Sequence, residues 1–372
     1  MEDLGEQERA VLELVKANPF AGQQEIAGMM GLARSTVAAH IVQLMQKGYI
    51  LGRGYVLPAS NRIVCLGGAV LDRQYRSLGP LVEDTSNLVH GSVSSGGVGR
   101  NVAENLARLG SEVSFLSVLG NDEAGRFLLA HLRDCGVDTS QSVISETQRT
   151  AEYIAILESS GALRHGLSDM AIFDEFTPAV VDRAWSHIGS ATFIFADCNL
   201  PADTLSALLR RKQGSRARLA IDAVSMTKVA RLPKDLTGVD LIFMNMAEAF
   251  AFLGEDRDAG SATLDDARNA ARMLQSAGAA EAIVSLGAKG TAVSALDGHA
   301  TYPAAKANPV DLTGAGDAMV AATLHRLIRG DGTMEAARHG ILAGALTTEC
   351  PTTIHPALSA AFLEANMVRM KA

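Results

Sequence analysis

From Asn61 onward, short apolar runs alternate with amphipathic stretches of helical period, and few folds accept that order. The runs Ile63–Leu66, Val113–Val118, Thr192–Ala196, Leu219–Ile221, Leu241–Met244 and Ala282–Ser285 are too short for helices and too continuous for half-exposed strands. Between them lie helical patterns such as Asp122–Asp134, Pro178–Ile188 and Leu264–Ala277. Strands buried on both faces and separated by helices predict an α/β domain over residues 61–372, with a mostly parallel central sheet covered on both sides. Two intervals, Tyr75–Ser95 and Tyr153–Leu167, break the alternation and read as strands of a small accessory β lid.

Residues 1–58 have a different character, and the change falls near Pro58-Ala59-Ser60-Asn61. Val11, Leu12, Leu14 and Val15 repeat at helical spacing. A second short helix spans Gln23 to Met30 and stops at Gly31, a residue suited to the left-handed cap. A third starts at Arg34-Ser35-Thr36, where a hydroxyl can cap the free amides, and lines up Val37, Ile41 and Leu44. Tyr49–Leu57 reads as a hairpin turning at Gly52-Arg53-Gly54. This is the order of a winged helix-turn-helix.

The net charge of −8 argues against non-specific nucleic-acid binding by the whole chain, so any DNA contact needs a local patch. Ile26–Pro58 supplies one: it holds no acid but carries Arg34, His40, Lys47 and Arg53, whereas the first 25 residues hold six acids. Arg34, Ser35 and Thr36 would meet bases or phosphates, and Arg53 at the wing tip would reach the backbone or minor groove. Binding to DNA through residues 1–58 is the expectation, and a protein-interaction or dimerisation module is the alternative. The four cysteines are dispersed without a C-x-x-C pair, which disfavours zinc and disulfide frameworks. No leader-like start and no apolar run of membrane length occurs, so a soluble, cytoplasmic protein without membrane contact is expected.

Two glycine-rich strings carry the chemistry. Asp311-Leu312-Thr313-Gly314-Ala315-Gly316-Asp317 opens the helical run Ala318–Ile328. A glycine turn at a helix start aims several N–H groups at one point, where the helix dipole favours negative charge. Asp317, just inside the turn, can accept the proton of a hydroxyl or simply cap the helix. Gly96-Gly97-Val98-Gly99-Arg100-Asn101 precedes a helix with the apolar stripe Val102, Leu106 and Leu109. Its glycines permit close approach to the backbone, and Asn101 offers both donor and acceptor. No G-x-x-x-x-G-K-[ST] string is present, which disfavours P-loop chemistry.

These strings resemble the two signatures of the ribokinase-like (PfkB) kinases. The resemblance implies an ATP-dependent phosphotransferase acting on a hydroxymethyl group. It assigns Asp317 as catalytic base and Gly314, Ala315 and Gly316 as an anion hole. It places Asp72, Gly96, Gly97 and Asn101 on the sugar. Asn245 and Glu248 would organise Mg2+ and the phosphates through water, although Met244 stands where the family often has proline. Ser285, Gly287, Gly290 and Thr313 would lie on the nucleotide side, and Ser285–Gly290 can equally be a hairpin turn. A monovalent cation near Asp311 and Thr347–Thr353, and a homodimer formed through the lid, are further family features.

Finer likenesses point to bacterial pseudouridine kinases: G-G-V-G-R-N with Asn105, Ala196-Asp197-Cys198-Asn199, Asp222-x-Val224-Ser225, Ser86-Asn87 and Ser168-Asp169-Met170. Ser86, Asn87, Asp197 and Asn199 would satisfy the polar edge of a base. The alternative for Asp197 and Asn199 is satisfaction of loop backbone at a strand end. Pseudouridine is thus the expected acceptor, with ribose, adenosine or inosine as alternatives. A rival from another class is a transcription regulator that uses a kinase-like domain as a ligand sensor.

Overall fold

The computed structural model describes residues 4–18, 21–51 and 61–370. Its first module is three helices: α1 (Glu6–Ala17), α2 (Gln23–Met30) and α3 (Arg34–Gln46). Val11, Leu12, Val15, Ile26, Val37, Ile41 and Leu44 form their shared core. Gly31 adopts the expected left-handed cap, with φ 65°. The cap of α3 differs from expectation: Ala33 is the N-cap and no side chain bonds to it. Ser35 already lies within the helix and is exposed. The expected wing, including Arg53, lies outside the described residues.

This module packs against the rest of the chain. Gly48 has φ 79°, and a Cβ there would fall 2.3 Å from the Gly189 carbonyl oxygen. Beside it the Arg216 guanidinium lies 4.8 Å from the centroid of the Tyr49 ring.

The remaining residues build a sheet of eight strands. In chain order these are β1 (Arg62–Leu66), β4 (Glu112–Leu116), β9 (Phe193–Asp197), β10 (Arg218–Asp222), β11 (Leu241–Asn245), β12 (Glu281–Ser285), β13 (Thr291–Ala295) and β14 (Gly298–Tyr302). Spatially the order is β14-β13-β12-β11-β10-β9-β1-β4. The pairs from β12 to β4 are parallel, while β13 and β14 close one edge as antiparallel hairpins. That antiparallel edge was not among the expected strands, since Thr291–Tyr302 lacks the apolar continuity of the others.

Period-two alternation divides each strand between two cores. Val64, Leu66, Ile194, Ala196, Leu219, Ile221, Ile242 and Val284 face one side. There they meet α6 (Pro178–Ile188), α7 (Ala202–Lys212), α8 (Met246–Leu253) and α9 (Leu264–Ser276). Ile63, Cys65, Phe115, Phe193, Phe195, Leu241, Phe243 and Ile283 face the other. Their partners are α4 (Val98–Arg108), α5 (Glu123–Asp134), α10 (Ala315–Ile328), α11 (Thr333–Thr347) and α12 (Ala360–Asn366).

The two irregular intervals form a second sheet, ordered β3 (Val89–Gly96), β2 (Val70–Ser77), β7 (Glu152–Leu157), β8 (Leu163–Asp169). It springs directly from the carboxyl end of β1. The run expected as one strand over Val113–Val118 is split: β4 stays in the main sheet, and β5 (Val118–Gly120) pairs with β6 (Val143–Ser145).

Phe195 sits on β9, flanked by β10 and β1, with no exposed surface. Phe195→Ala should therefore lower the unfolding free energy by about 3–5 kcal/mol, read from urea denaturation followed by far-UV circular dichroism. A change under about 1 kcal/mol would show that this core relaxes around the cavity.

Candidate active site

The site forms where parallel strands end. The chain leaves β1 toward β4 on one side and returns to β9 on the other, so a crevice opens at the carboxyl ends of β1 and β9. Asp197 closes β9 and is fully buried. Its Oδ2 accepts from the Gly68 N–H at 3.0 Å and the Gly99 N–H at 2.7 Å, and its Oδ1 accepts from Asn199 N–H at 2.8 Å. Three backbone donors thus occupy this carboxylate. The expectation of a base contact from Asp197 is corrected on that ground: the side chain satisfies loop backbone and ties the β1–β2 turn to the start of α4. The glycines allow this closeness, since a Cβ on Gly99 would lie 2.7 Å from Gly67 Cα.

Asn199 is also buried, and its Oδ1 accepts from Lys228 Nζ at 2.5 Å. Arg231 Nη1 donates to the Asn199 carbonyl at 2.6 Å. These two cations were not singled out from sequence, where Lys228 and Arg231 look like ordinary turn residues. Val224 between them and Asp222 has φ 66°, a strained conformation for a β-branched residue.

The two glycine-rich strings meet. Asn101 Nδ2 donates to Asp317 Oδ2 at 2.7 Å, joining the first turn of α4 to the first turn of α10. Burial pushes the Asp317 carboxyl up to about 6; the Asn101 hydrogen bond and Arg100 act in the opposite direction. Gly314 has φ 82°, and a Cβ there would come 1.9 Å from the Thr353 carbonyl oxygen. Above Gly316 the space is open for 4 Å. Ala315, Gly316 and Asp317 are the first residues of α10; the N–H groups of Gly316 and Asp317 face outward from the helix start, while the Ala315 N–H donates to the Leu312 carbonyl at 3.4 Å.

Asp72, on β2, leans over Gly96, whose Cβ position would lie 2.0 Å from Asp72 Oδ2. Burial pushes this carboxyl up to about 6 as well, and Arg100 offsets part of that rise. Gly97 has φ 95°, with a Cβ position 2.4 Å from the Gly68 carbonyl oxygen. Asp72, Gly96, Gly97, Asn101 and Asp317 therefore share one crevice. Among the described residues, Ser86 and Asn87 make no hydrogen bond to this crevice. They lie in the connection from β2 to β3, where Asn87 accepts from Val82 N–H at 2.9 Å and donates to the Val82 carbonyl at 2.9 Å. Both ends of the Asn87 amide are thus engaged within this loop.

A second group occupies the neighbouring strand ends. Asn245 and Ser285 are register partners at the ends of β11 and β12. Asn245 caps α8 reciprocally: its Oδ1 accepts from Glu248 N–H at 3.0 Å, while its N–H and Nδ2 donate to Glu248 at 2.8 and 2.7 Å. Met244 in place of proline leaves that cap intact. Asp222 is held well above the usual carboxylate range, first by burial and then by the nearby charges of Glu248 and Asp317. Burial likewise raises Glu248. Carboxylates are the ligand type that suits a hard cation such as Mg2+, and a cation here would relieve the repulsion that Glu248 exerts on Asp222. Gly287 and Gly290 lie in the β12–β13 connection, the hairpin alternative, and Lys289 there donates to the Gly260 and Ala262 carbonyls at 2.7 and 2.8 Å. Thr313 is exposed, with its N–H bonded to Asp311 Oδ1 at 2.8 Å. The N–H groups of Val310 and Asp311 both donate to the Thr348 carbonyl, at 2.7 and 3.1 Å, so Asp311 does adjoin the Thr347–Thr353 segment.

In the first module, Arg34 and Ser35 are exposed at the start of α3, and Thr36 is half-buried. Lys47, counted above in the basic face, instead pairs with Glu8 at 2.8 Å. Among the described residues, no helix is long and apolar enough to cross a membrane.

Comparison with known proteins agrees with this architecture. Residues 4–50 match a winged helix-turn-helix DNA-binding family model. The chain is 30% identical to an uncharacterized sugar kinase, YeiI, of Escherichia coli K12, over 96% of this chain and 97% of that one. It is 28% identical to the pseudouridine kinase of the same organism, over 80% and 94% of the two chains. A solved carbohydrate kinase from Agrobacterium tumefaciens superposes with a TM-score of 0.75 at 32% identity, covering 83% of this chain and 98% of that one. Since residues 60–360 match the pfkB carbohydrate kinase model, the chain belongs to the pfkB family, a phosphotransferase with a winged helix-turn-helix at its N-terminus.

Proposed function

We propose that the protein transfers the γ-phosphoryl group of ATP to the 5′-hydroxyl of a nucleoside, with pseudouridine as acceptor. The observation that carries the reading is the Asn101–Asp317 hydrogen bond of 2.7 Å, because it sets a sugar-binding amide against a base at a helix N-terminus. Asp72 and Asn101 hold the sugar hydroxyls in the crevice. Asp317 takes the proton of the attacking hydroxyl, and charge gathering on the transferred group falls on the amides of Gly314, Ala315 and Gly316. Asn245, Glu248 and Asp222 would hold Mg2+, which screens the phosphate charge when bound. The hairpin around Gly287 and Gly290, with Ser285 and Thr313, borders the nucleotide. The likeness to the Escherichia coli pseudouridine kinase supports the acceptor.

The N-terminal module supports a second activity, binding to duplex DNA through the exposed start of α3. The lid supports a homodimer: Val89, Val93, Leu163 and Leu167 are 39%, 52%, 58% and 53% exposed on it.

Purified protein with ATP should turn over pseudouridine in preference to uridine, adenosine, inosine and ribose; a preference for any of the others would remove pseudouridine while leaving the kinase. Because the base must be ionised and its carboxyl is held up to about 6, kcat/KM should be half-maximal near pH 6 and fall as pH drops. Asp72, held equally high, steepens the same limb. Asp317→Asn should lower kcat on the order of 10²- to 10⁴-fold; turnover near wild type would reject Asp317 as base. Finally, the protein should sediment as a dimer and bind duplex DNA, and Arg34→Ala should weaken binding and reduce the salt slope by about one per site. A monomer indifferent to DNA would leave the first module as a protein-contact element.

A further inference from the structure

Behind Asn101 lies a charge network that substrate binding does not itself use. Arg100 is only 2% exposed. Its Nη1 donates to the Ser95 carbonyl at 2.8 Å and to Asn101 Oδ1 at 2.7 Å. Its Nη2 pairs with Glu104, one turn along α4 and equally buried. Glu104 also accepts from Arg108 Nη2 at 2.7 Å and faces His131 Nε2 of α5 at 3.0 Å. His131, Cys135 and Glu104 come within 4.8 Å of one another, yet two guanidinium groups already neutralise Glu104 and disfavour a cation there.

The two ends of an asparagine amide have nearly the same shape and opposite hydrogen-bonding roles. Asp317, when ionised, accepts only; an Asn101 turned end for end would set oxygen against oxygen. A guanidinium donates only, so Arg100 can hold Oδ1 but never Nδ2. We propose that Arg100, braced by Glu104, is a positioning residue for phosphoryl transfer: it fixes the orientation of the Asn101 amide and thereby aims one N–H at Asp317. Half of Asn101's capacity is then spent within the protein. One N–H and one lone pair remain for the acceptor, which limits the hydroxyl patterns it can bind. Buried ion pairs add little net stability against apolar replacements, so the consequence of this network is orientation.

The proposal rests on Asp317 being the base, and Asp317→Asn tests that reading separately. The groups facing Asp317 are Arg100 and Asn101 from α4, Asp197 from β9 and Asp222 from β10, while Asp72 on β2 faces Arg100. The decisive comparison uses Arg100→Met with Glu104→Gln, a pair that removes both members of the buried Arg100–Glu104 ion pair together, beside Arg100→Lys. For the double variant, kcat should fall about 10- to 100-fold with KM for ATP within about twofold. The acid limb of kcat/KM should move up by about half to one pH unit as the cation is lost. Arg100→Lys should restore the limb, since it keeps the charge, but not the full kcat, since one ammonium cannot replace the three-way fork. Wild-type kcat and an unmoved limb in the double variant would overturn the proposal. So would a loss confined to the yield of folded protein, with unchanged turnover per active site, because that outcome assigns Arg100 a purely structural role.

Discussion

A hydrogen bond between Asn101 and Asp317 ties together residues 216 positions apart, and the geometry of the crevice depends on it. Each residue stands in the first turn of a helix, and both helices pack on the same face of the sheet. If α4 or α10 slid by one turn, about 5.4 Å, the bond would be lost and the Gly314–Gly316 amides would point elsewhere. The glycine contacts resist such a slide. Gly97 and Gly99 bring α4 against the turn after β1, and Gly314 brings α10 against Thr353, in spaces that would not hold a methyl group.

Charge is unusually concentrated around this bond. Asp72, Asp197, Asp222, Glu248 and Asp317 gather at the carboxyl ends of the strands, while Arg100, Lys228 and Arg231 are the cations placed among them. Raised carboxyl groups are the result, and burial is the first cause in Asp72, Asp197, Asp222 and Asp317 alike. A site of this kind is expensive in isolation and is relieved by a cation or by proton uptake. The same imbalance makes Asp317 a better proton acceptor near neutrality than an exposed aspartate would be.

Some elements were legible because their signals are local. The strands over Ile63–Leu66 and Leu241–Met244, the helix Pro178–Ile188 and the left-handed cap at Gly31 each follow from a few adjacent residues. The cap of α3 was misassigned because Ser35 and Thr36 satisfy a composition rule while the chain turns two residues before Ser35, at Ala33. The edge strands β13 and β14 escaped notice because a hairpin at a sheet edge needs no continuous apolar run. Arg100 went unremarked as well. A glutamate four residues on was the available sign, but i, i+4 pairs are usually exposed, and only burial by α10 and the lid gives this one consequence.

The sequence by itself determined the buried parallel strands and the amphipathic helices between them, which faces are apolar, and where two glycine-rich strings open helices. Those properties are set by backbone sterics and by periodicities of two and 3.6 residues, which short stretches encode fully. Tertiary structure alone decided how each polar atom is spent. Asp197 became a clamp for backbone amides and Asn87 a loop brace. Asn101 was divided between Arg100 and Asp317, and Lys47 was drawn to Glu8. A hydrogen-bonding group has the same capacity wherever it stands in the chain; what it does depends on partners brought from far along the sequence, and those are fixed only when the two cores close.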